Sequence, residues 1–118
     1  MRLIPVKKRF VRSFKSKDGE DVEVRLVIRF QPKIHWMPEI YKHFGKDYGR
    51  SFLQREGSLD IEQVIKLHNC SDLTDPKKEA YQLRVIEEIR FRLLDACIFH
   101  HIKMDENDLE IQFLLPEY

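Results

Sequence analysis

Alternation of apolar and polar residues is clearest over Asp21–Phe30, where every second residue is apolar and most of the others are charged. A period of two is typical of a β-strand with one buried face. The Asp18-Gly19 pair before this segment favours a tight turn, and Phe10–Phe14 is predicted to be the first strand of the resulting hairpin. Pro32 is expected to end the second strand, because proline cannot donate a hydrogen bond to a sheet.

The middle of the chain predicts two or three short helices. They cover Ile34–Phe44, Asp47–Gln54 and a segment that Ser58 opens as N-cap. Asn69–Pro76 is expected to be a loop.

Lys77–His100 is the longest helical pattern. Its apolar residues recur at spacings of three and four, which predicts one buried face. That face consists of Leu83, Ile86, Ile89, Leu93 and Cys97.

Alternation returns over Leu109–Leu115, after a polar turn predicted at Lys103–Asp108. Strands at both ends of the chain with helices between them predict an α+β fold. We expect a small antiparallel or mixed sheet, made of the N-terminal hairpin and the C-terminal strand, packed against short helices and one long helix. A length of 118 residues fits a single domain that spans residues 1–118.

Charge is unevenly distributed although the formal net charge is only +1. Residues 1–17 contain seven basic side chains and no acidic one. Such a segment could meet anionic lipid head groups, RNA or protein, while a solvated strand face is the plainer interpretation. Because Trp, Tyr and Arg dominate interface hot spots, an interface is expected at the basic strand and at the Trp36–Tyr48 segment. The candidate residues are Lys7, Lys8, Arg9, Arg12, Lys15, Trp36, Tyr41 and Tyr48.

Motifs of catalysis are missing from the sequence. It has no glycine-rich phosphate loop, no Gly-x-Ser-x-Gly elbow and no His-Glu-x-x-His helix. We therefore predict no catalytic residue and no cofactor.

For Trp36 and Tyr41, packing in the hydrophobic core is the alternative to an interface.

The cysteines lie outside any Cys-x-x-Cys motif, and buried free thiols are expected. A zinc site would have to combine two groups of residues that are distant in sequence. These groups are His68 with Cys70, and Cys97 with His100 and His101. Since His-x-Cys is not a usual ligand pair, core packing is the preferred interpretation and no metal site is predicted.

Two segments resemble one known family. Ser16–Pro32 resembles the central hairpin of SPFH domains, the prohibitin and stomatin group, where a turn of the type (S/T)-K-D-(G/N)-x-x-V leads into a strand ending in R-(F/Y)-x-(P/V). Met37–Tyr48 reads MPEIYKHFGKDY, which is similar to the prohibitin pattern L-P-x-(I/L)-(Y/F)-x-x-(F/I)-G-x-D-Y. Arg84–Leu114 resembles the late helix and final strand of the family more loosely, and Asn69–Lys78 departs from it.

The resemblance implies a non-enzymatic scaffold. SPFH proteins form large oligomeric scaffolds on membranes, with prohibitins at the mitochondrial inner membrane. We expect this chain to be the core of such a domain without the membrane anchor and coiled coil. Its partners would be other protein subunits of a larger complex or copies of itself, with peripheral membrane contact, at the mitochondrial inner membrane or otherwise in the cytoplasm.

The alternative function is that of a nucleic-acid-associated accessory module, such as a ribosomal accessory protein. Aromatic residues near arginines can stack on bases, but the RRM signature is absent, and nucleic acid is the less expected partner.

Overall fold

A computed structural model describes residues 6–104 and 109–116. Within these ranges, four antiparallel strands form one sheet: β1 (Val6–Lys15), β2 (Asp21–Pro32), β3 (Ile102–Met104) and β4 (Glu110–Leu114). β2 is central and pairs with the whole length of β1, while β3 and β4 share the other edge of β2. The α+β prediction is confirmed, with β3 as a strand that the sequence analysis did not predict.

The helices follow one another between β2 and β3. They are α1 (Met37–Phe44), α2 (Tyr48–Phe52), a π-helical turn (Leu53–Gly57), α3 (Ser58–Ile65), α4 (Cys70–Thr74) and α5 (Glu79–Phe99). Short 3-10 turns at Ile34–Trp36 and Pro76–Lys78 precede α1 and α5. None of the helices in the described ranges is both long and apolar enough to cross a membrane.

The core lies between the helices and one face of the sheet. The apolar residues of β2 that alternate along the strand are all buried, as predicted, and they are Val22, Val24, Leu26, Ile28 and Phe30. The residues between them are exposed or half-buried on the opposite, open face of the sheet. Both cysteines are buried and unpaired, as expected.

Several predicted boundaries were wrong. β1 begins at Val6 rather than Phe10. Pro32 does end β2, as predicted, and is itself paired with Ile102. The predicted loop at Asn69–Pro76 contains α4. The predicted polar turn at Lys103–Asp108 begins inside β3, and residues 105–108 lie outside the described residues.

Ser58 is not an N-cap, because the chain is already helical from α2 through the π-turn into α3. The Ser58 N–H donates to Leu53 O, five residues back, and so skips Gln54 O. The Ser58 hydroxyl compensates for this shift, since its Oγ lies 2.5 Å from Gln54 O. Ser58 was predicted to start a helix. Its hydroxyl instead donates to the Gln54 carbonyl, which receives no backbone hydrogen bond from Ser58 because of the π-turn.

The buried face of α5 differs from the predicted one. Val85, Ile89, Leu93 and Cys97 face the core at a strict spacing of four, Ile86 is half-buried, and Leu83 is 54% exposed. Leu83 and Val85 are two residues apart, hence about 200° apart around the helix. The helix carries two apolar stripes, and the sheet covers the one that contains Val85.

Candidate interaction site

The basic residues of β1 do not form one patch, because successive side chains of a strand point to opposite faces. Lys8 and Arg12 share the side of Phe10 and Phe14, which pack in or against the core. The other three candidates, Lys7, Arg9 and Lys15, share the open side, where Lys15 pairs with Asp21 at 2.8 Å.

A groove of about 590 Å³ runs along β1 towards α2 and the π-turn. Its charged lining consists of Lys8, Arg9, Arg12, Asp47 and Arg50. Lys8 Nζ lies 2.8 Å from Asp47 Oδ1, and this hydrogen bond lowers the pKa of the Asp47 carboxyl. Since Asp47 neutralises Lys8, the positive excess in the groove comes from the three arginines.

Trp36 and Tyr41 are exposed and Tyr48 is not. The Trp36 ring stacks on His101 with centroids 3.5 Å apart and planes 5° apart. Tyr48 is 4% exposed, and burial raises the pKa of its hydroxyl to about 12. Tyr48 was proposed as an interface residue, yet its ring belongs to the core cluster. Of the aromatic candidates, only Trp36 and Tyr41 are accessible to a partner.

A second groove, of about 230 Å³, lies beside Trp36 at the C-terminal end of α5. Phe99, strongly exposed, and the imidazoles of His43, His100 and His101 line it together with Trp36. The sequence analysis pointed to Trp36 here but missed Phe99 and His43.

The outward face of α5 is a feature that the sequence analysis missed. Leu83, Phe91 and Ile98 are exposed on it, Phe91 to 74%, and half-buried Leu94 lies in the same stripe. At 1.5 Å per residue, Leu83 and Ile98 are about 22 Å apart along the helix. The three- and four-residue spacings from Phe91 to Ile98 were a readable signal, but the sequence analysis assigned only Leu83 of this stripe, and placed it on the buried face.

The thiols of Cys70 and Cys97 are poorly reactive. Burial raises the pKa of Cys97 to about 12 and raises that of Cys70 as well. A protonated thiol is a poor nucleophile and a poor metal ligand.

The residues considered for zinc are not gathered in one place. His68 Nδ1 contacts the Tyr81 hydroxyl, and His101 stacks on Trp36. The group that does converge in the described part of the chain is His43, Glu56 and His100, whose ligand atoms all lie within 4.8 Å of one another. Sequence reasoning had considered only His100, since the three residues are distant from one another along the chain.

The chain is similar to several known proteins, but these similarities do not assign it to a family. No family model matches the chain. Prohibitin-1 of Colletotrichum higginsianum is 25% identical over 83 residues, which are 70% of this chain and 30% of the relative. Prohibitin-2 of Dictyostelium discoideum is 26% identical over 91 residues, 77% of this chain and 29% of the relative.

A third relative has a different name. A protein of Nocardia farcinica named nucleotide-binding protein is 34% identical over 76 residues, 61% of this chain and 22% of the relative. The chain therefore spans less than a third of the length of each of these relatives. Its partial similarity to two prohibitins suggests an SPFH-like relationship.

Proposed function

We propose that this chain is a non-enzymatic scaffold subunit with a prohibitin-like domain, which docks onto another protein subunit of a larger membrane-associated complex. The similarity to two prohibitins supports this role. The observation that carries it is the outward apolar face of α5, defined by Leu83, Phe91, Leu94 and Ile98.

Exposed apolar side chains along one helix face favour contact with a partner. Complete burial of a Phe or Leu side chain stabilises a protein by roughly 1.5–3 kcal/mol. More than half of each side chain is exposed to water at Phe91 and Leu83, so most of this stabilisation is still available to a partner that covers them. Contiguous apolar patches on a protein surface commonly mark interaction sites. A helix or strand from a neighbouring subunit would cover a stripe of this length.

The charges on this face suit an interface. Arg90 Nη1 lies 2.7 Å from Glu87 Oε1, so that a partner covering the stripe meets a paired charge rather than a single one. An unpaired buried charge would be costly, whereas a pair offsets part of its own desolvation.

Contact with a membrane would use the other side of the molecule. Lys7, Arg9 and Lys15 lie on the open face of the sheet, and juxtamembrane basic residues are attracted to anionic lipids. The mitochondrial inner membrane is the location that the prohibitin resemblance implies.

The test is affinity purification of the full chain, tagged, from a mild-detergent extract of mitochondrial membranes, followed by a native gel. We expect the chain to migrate with a large complex. Leu83→Ser should abolish this migration, and Leu59→Ser is the matched control, since Leu59 is a helical leucine with 56% exposure on α3. A wild-type chain that migrates as a free 14.3 kDa protein would overturn the proposal.

A nucleic-acid-associated module is the second candidate. The groove beside β1 favours it, because four cations and one carboxylate line it. RNA binding measured at increasing salt decides between the two, since phosphate contacts weaken steeply with salt. Tight binding that Arg12→Gln and Arg50→Gln abolish would favour this candidate over the scaffold.

A further inference from the structure

We propose that His43, Glu56 and His100 form a binding site for a divalent transition-metal ion, with zinc as the ion of choice. His43 lies on α1, Glu56 in the π-turn and His100 directly after α5. The three ligand atoms converge within 4.8 Å. Two imidazoles and one carboxylate form a ligand set that zinc accepts in proteins. This proposal is independent of the docking function.

The spacing of two of the three ligands, His100 and Glu56, is compatible with a bound metal ion. His100 Nε2 lies 3.6 Å from Glu56 Oε1, beyond the usual hydrogen-bond range of about 2.7–3.2 Å. Two ligands of a tetrahedral zinc, each about 2.1 Å from the ion, lie about 3.4 Å apart. Since all three ligand atoms lie within 4.8 Å of one another, a separation of this size needs to close by at most about 1.4 Å, and His43 is exposed and free to rotate its side chain.

The π-turn is an independent sign of function at the same place. π-Turns are rare inside helices and occur frequently at functional sites. Here the turn contains Glu56, and the next residue, Gly57, is buried against α5, where an added Cβ would lie 3.6 Å from Leu93. Because the turn and α5 approach this closely, the Glu56 carboxylate reaches His100 just beyond the end of α5.

The surroundings hold the ligands in place. Arg55 donates from Nη1 to His43 O at 3.0 Å, and its guanidinium lies 5.4 Å above the Phe44 ring. The residue next to Glu56 therefore fixes the end of α1 that carries His43. Such supporting contacts orient the ligands in known metal sites.

The site has access to solvent. The groove of about 230 Å³ beside Trp36 borders both His43 and His100, so that water can complete the coordination of the ion.

The test uses the full chain, purified without a polyhistidine tag and stripped of metal by a chelator. Zinc is titrated calorimetrically, and cobalt is used as an optical probe of the coordination. We expect one equivalent of zinc to bind and to raise the melting temperature, because a ligand that binds only the folded state stabilises it. Glu56→Gln and His43→Ala should each weaken zinc binding at least about tenfold.

The matched control is His35→Ala, which removes an exposed histidine outside the cluster and should leave zinc affinity unchanged. Glu56→Gln keeps the size of the side chain, and His43 is exposed, so both variants are expected to fold, as circular dichroism would verify. The proposal is overturned if the wild-type chain binds no zinc. It is equally overturned if Glu56→Gln and His43→Ala bind zinc as tightly as the wild type.

Discussion

Asp18 Oδ1 lies 3.2 Å from the backbone nitrogen of Cys70 and accepts its hydrogen bond. Asp18 also accepts a hydrogen bond from the Ser16 hydroxyl, and Lys17 N–H donates to His68 O at 2.9 Å. The turn of the N-terminal hairpin is thus clamped onto the first residue of α4. This long-range cap explains why a segment with the composition of a loop forms a helix.

The clamp predicts an acid-sensitive contribution to stability. The hydrogen bond from Ser16, followed by that from the Cys70 N–H, lowers the pKa of Asp18 below 3.8. A carboxyl whose pKa is lower in the folded state stabilises the fold above its unfolded pKa, and the contribution is lost as the pH falls through the folded pKa. Asp18→Asn should therefore lower the free energy of unfolding at pH 7. The difference in this free energy between the variant and the wild type should become smaller as the pH falls below 3.8. Urea denaturation of both proteins between pH 7 and pH 2 measures this difference, and a constant difference over that range would contradict the prediction.

The two faces of α5 should respond differently to truncation. Ile89→Ala removes a fully buried side chain and should lower the free energy of unfolding by about 2–5 kcal/mol. Leu83→Ala should change it by about 0.5 kcal/mol or less, since Leu83 is mostly in water. Chemical denaturation of the two variants checks this, and equal losses would show that Leu83 is covered in the folded chain.

Tyr48→Phe should be neutral or stabilising. The Tyr48 hydroxyl is buried and has no hydrogen-bond partner among the described residues. An unsatisfied buried polar group costs about 1–3 kcal/mol, so that replacing it by hydrogen should raise the melting temperature or leave it unchanged. A clear drop in melting temperature would show that the hydroxyl has a partner in solution.

Ser58→Ala should destabilise the π-turn. The substitution removes the hydroxyl that satisfies Gln54 O, and the expected loss is roughly 1–2 kcal/mol in the free energy of unfolding. Ser51→Ala on α2 is the matched control, because it makes the same chemical change at a half-buried helical serine outside the π-turn. If both substitutions have the same effect on denaturant midpoints, the hydroxyl of Ser58 does not support the turn.

The sequence was most informative where the hydrophobic period is compatible with only one buried face. β2 is an example, because its alternation admits a single buried face and the structure buries that face. α5 is the opposite case, since its two apolar stripes satisfy the helical period equally well and only packing against the sheet selects between them. The division of the basic residues of β1 between two faces could have been predicted from the sequence, because neighbouring residues such as Lys7 and Lys8 cannot share a face of a strand.

The candidate metal cluster was beyond reach of sequence reasoning. His43 and Glu56 have no motif spacing with His100, and the fold brings the three residues together from α1, the π-turn and the end of α5. Tyr48 shows the converse limit, since composition favours tyrosine at interfaces while the packing of α2 turns this one inward.

The position of β1 gives its cations one more consequence. Among the described strands, β1 pairs with β2 alone, so its outer side offers unused backbone donors and acceptors. If two molecules joined these sides antiparallel, cations of one strand would face cations of the other, and like charges placed opposite each other destabilise such a pairing. Because Asp47 pairs with Lys8 and Asp21 with Lys15, this repulsion comes mainly from Lys7, Arg9 and Arg12, and it disfavours extension of the sheet at β1 by a second copy of the chain.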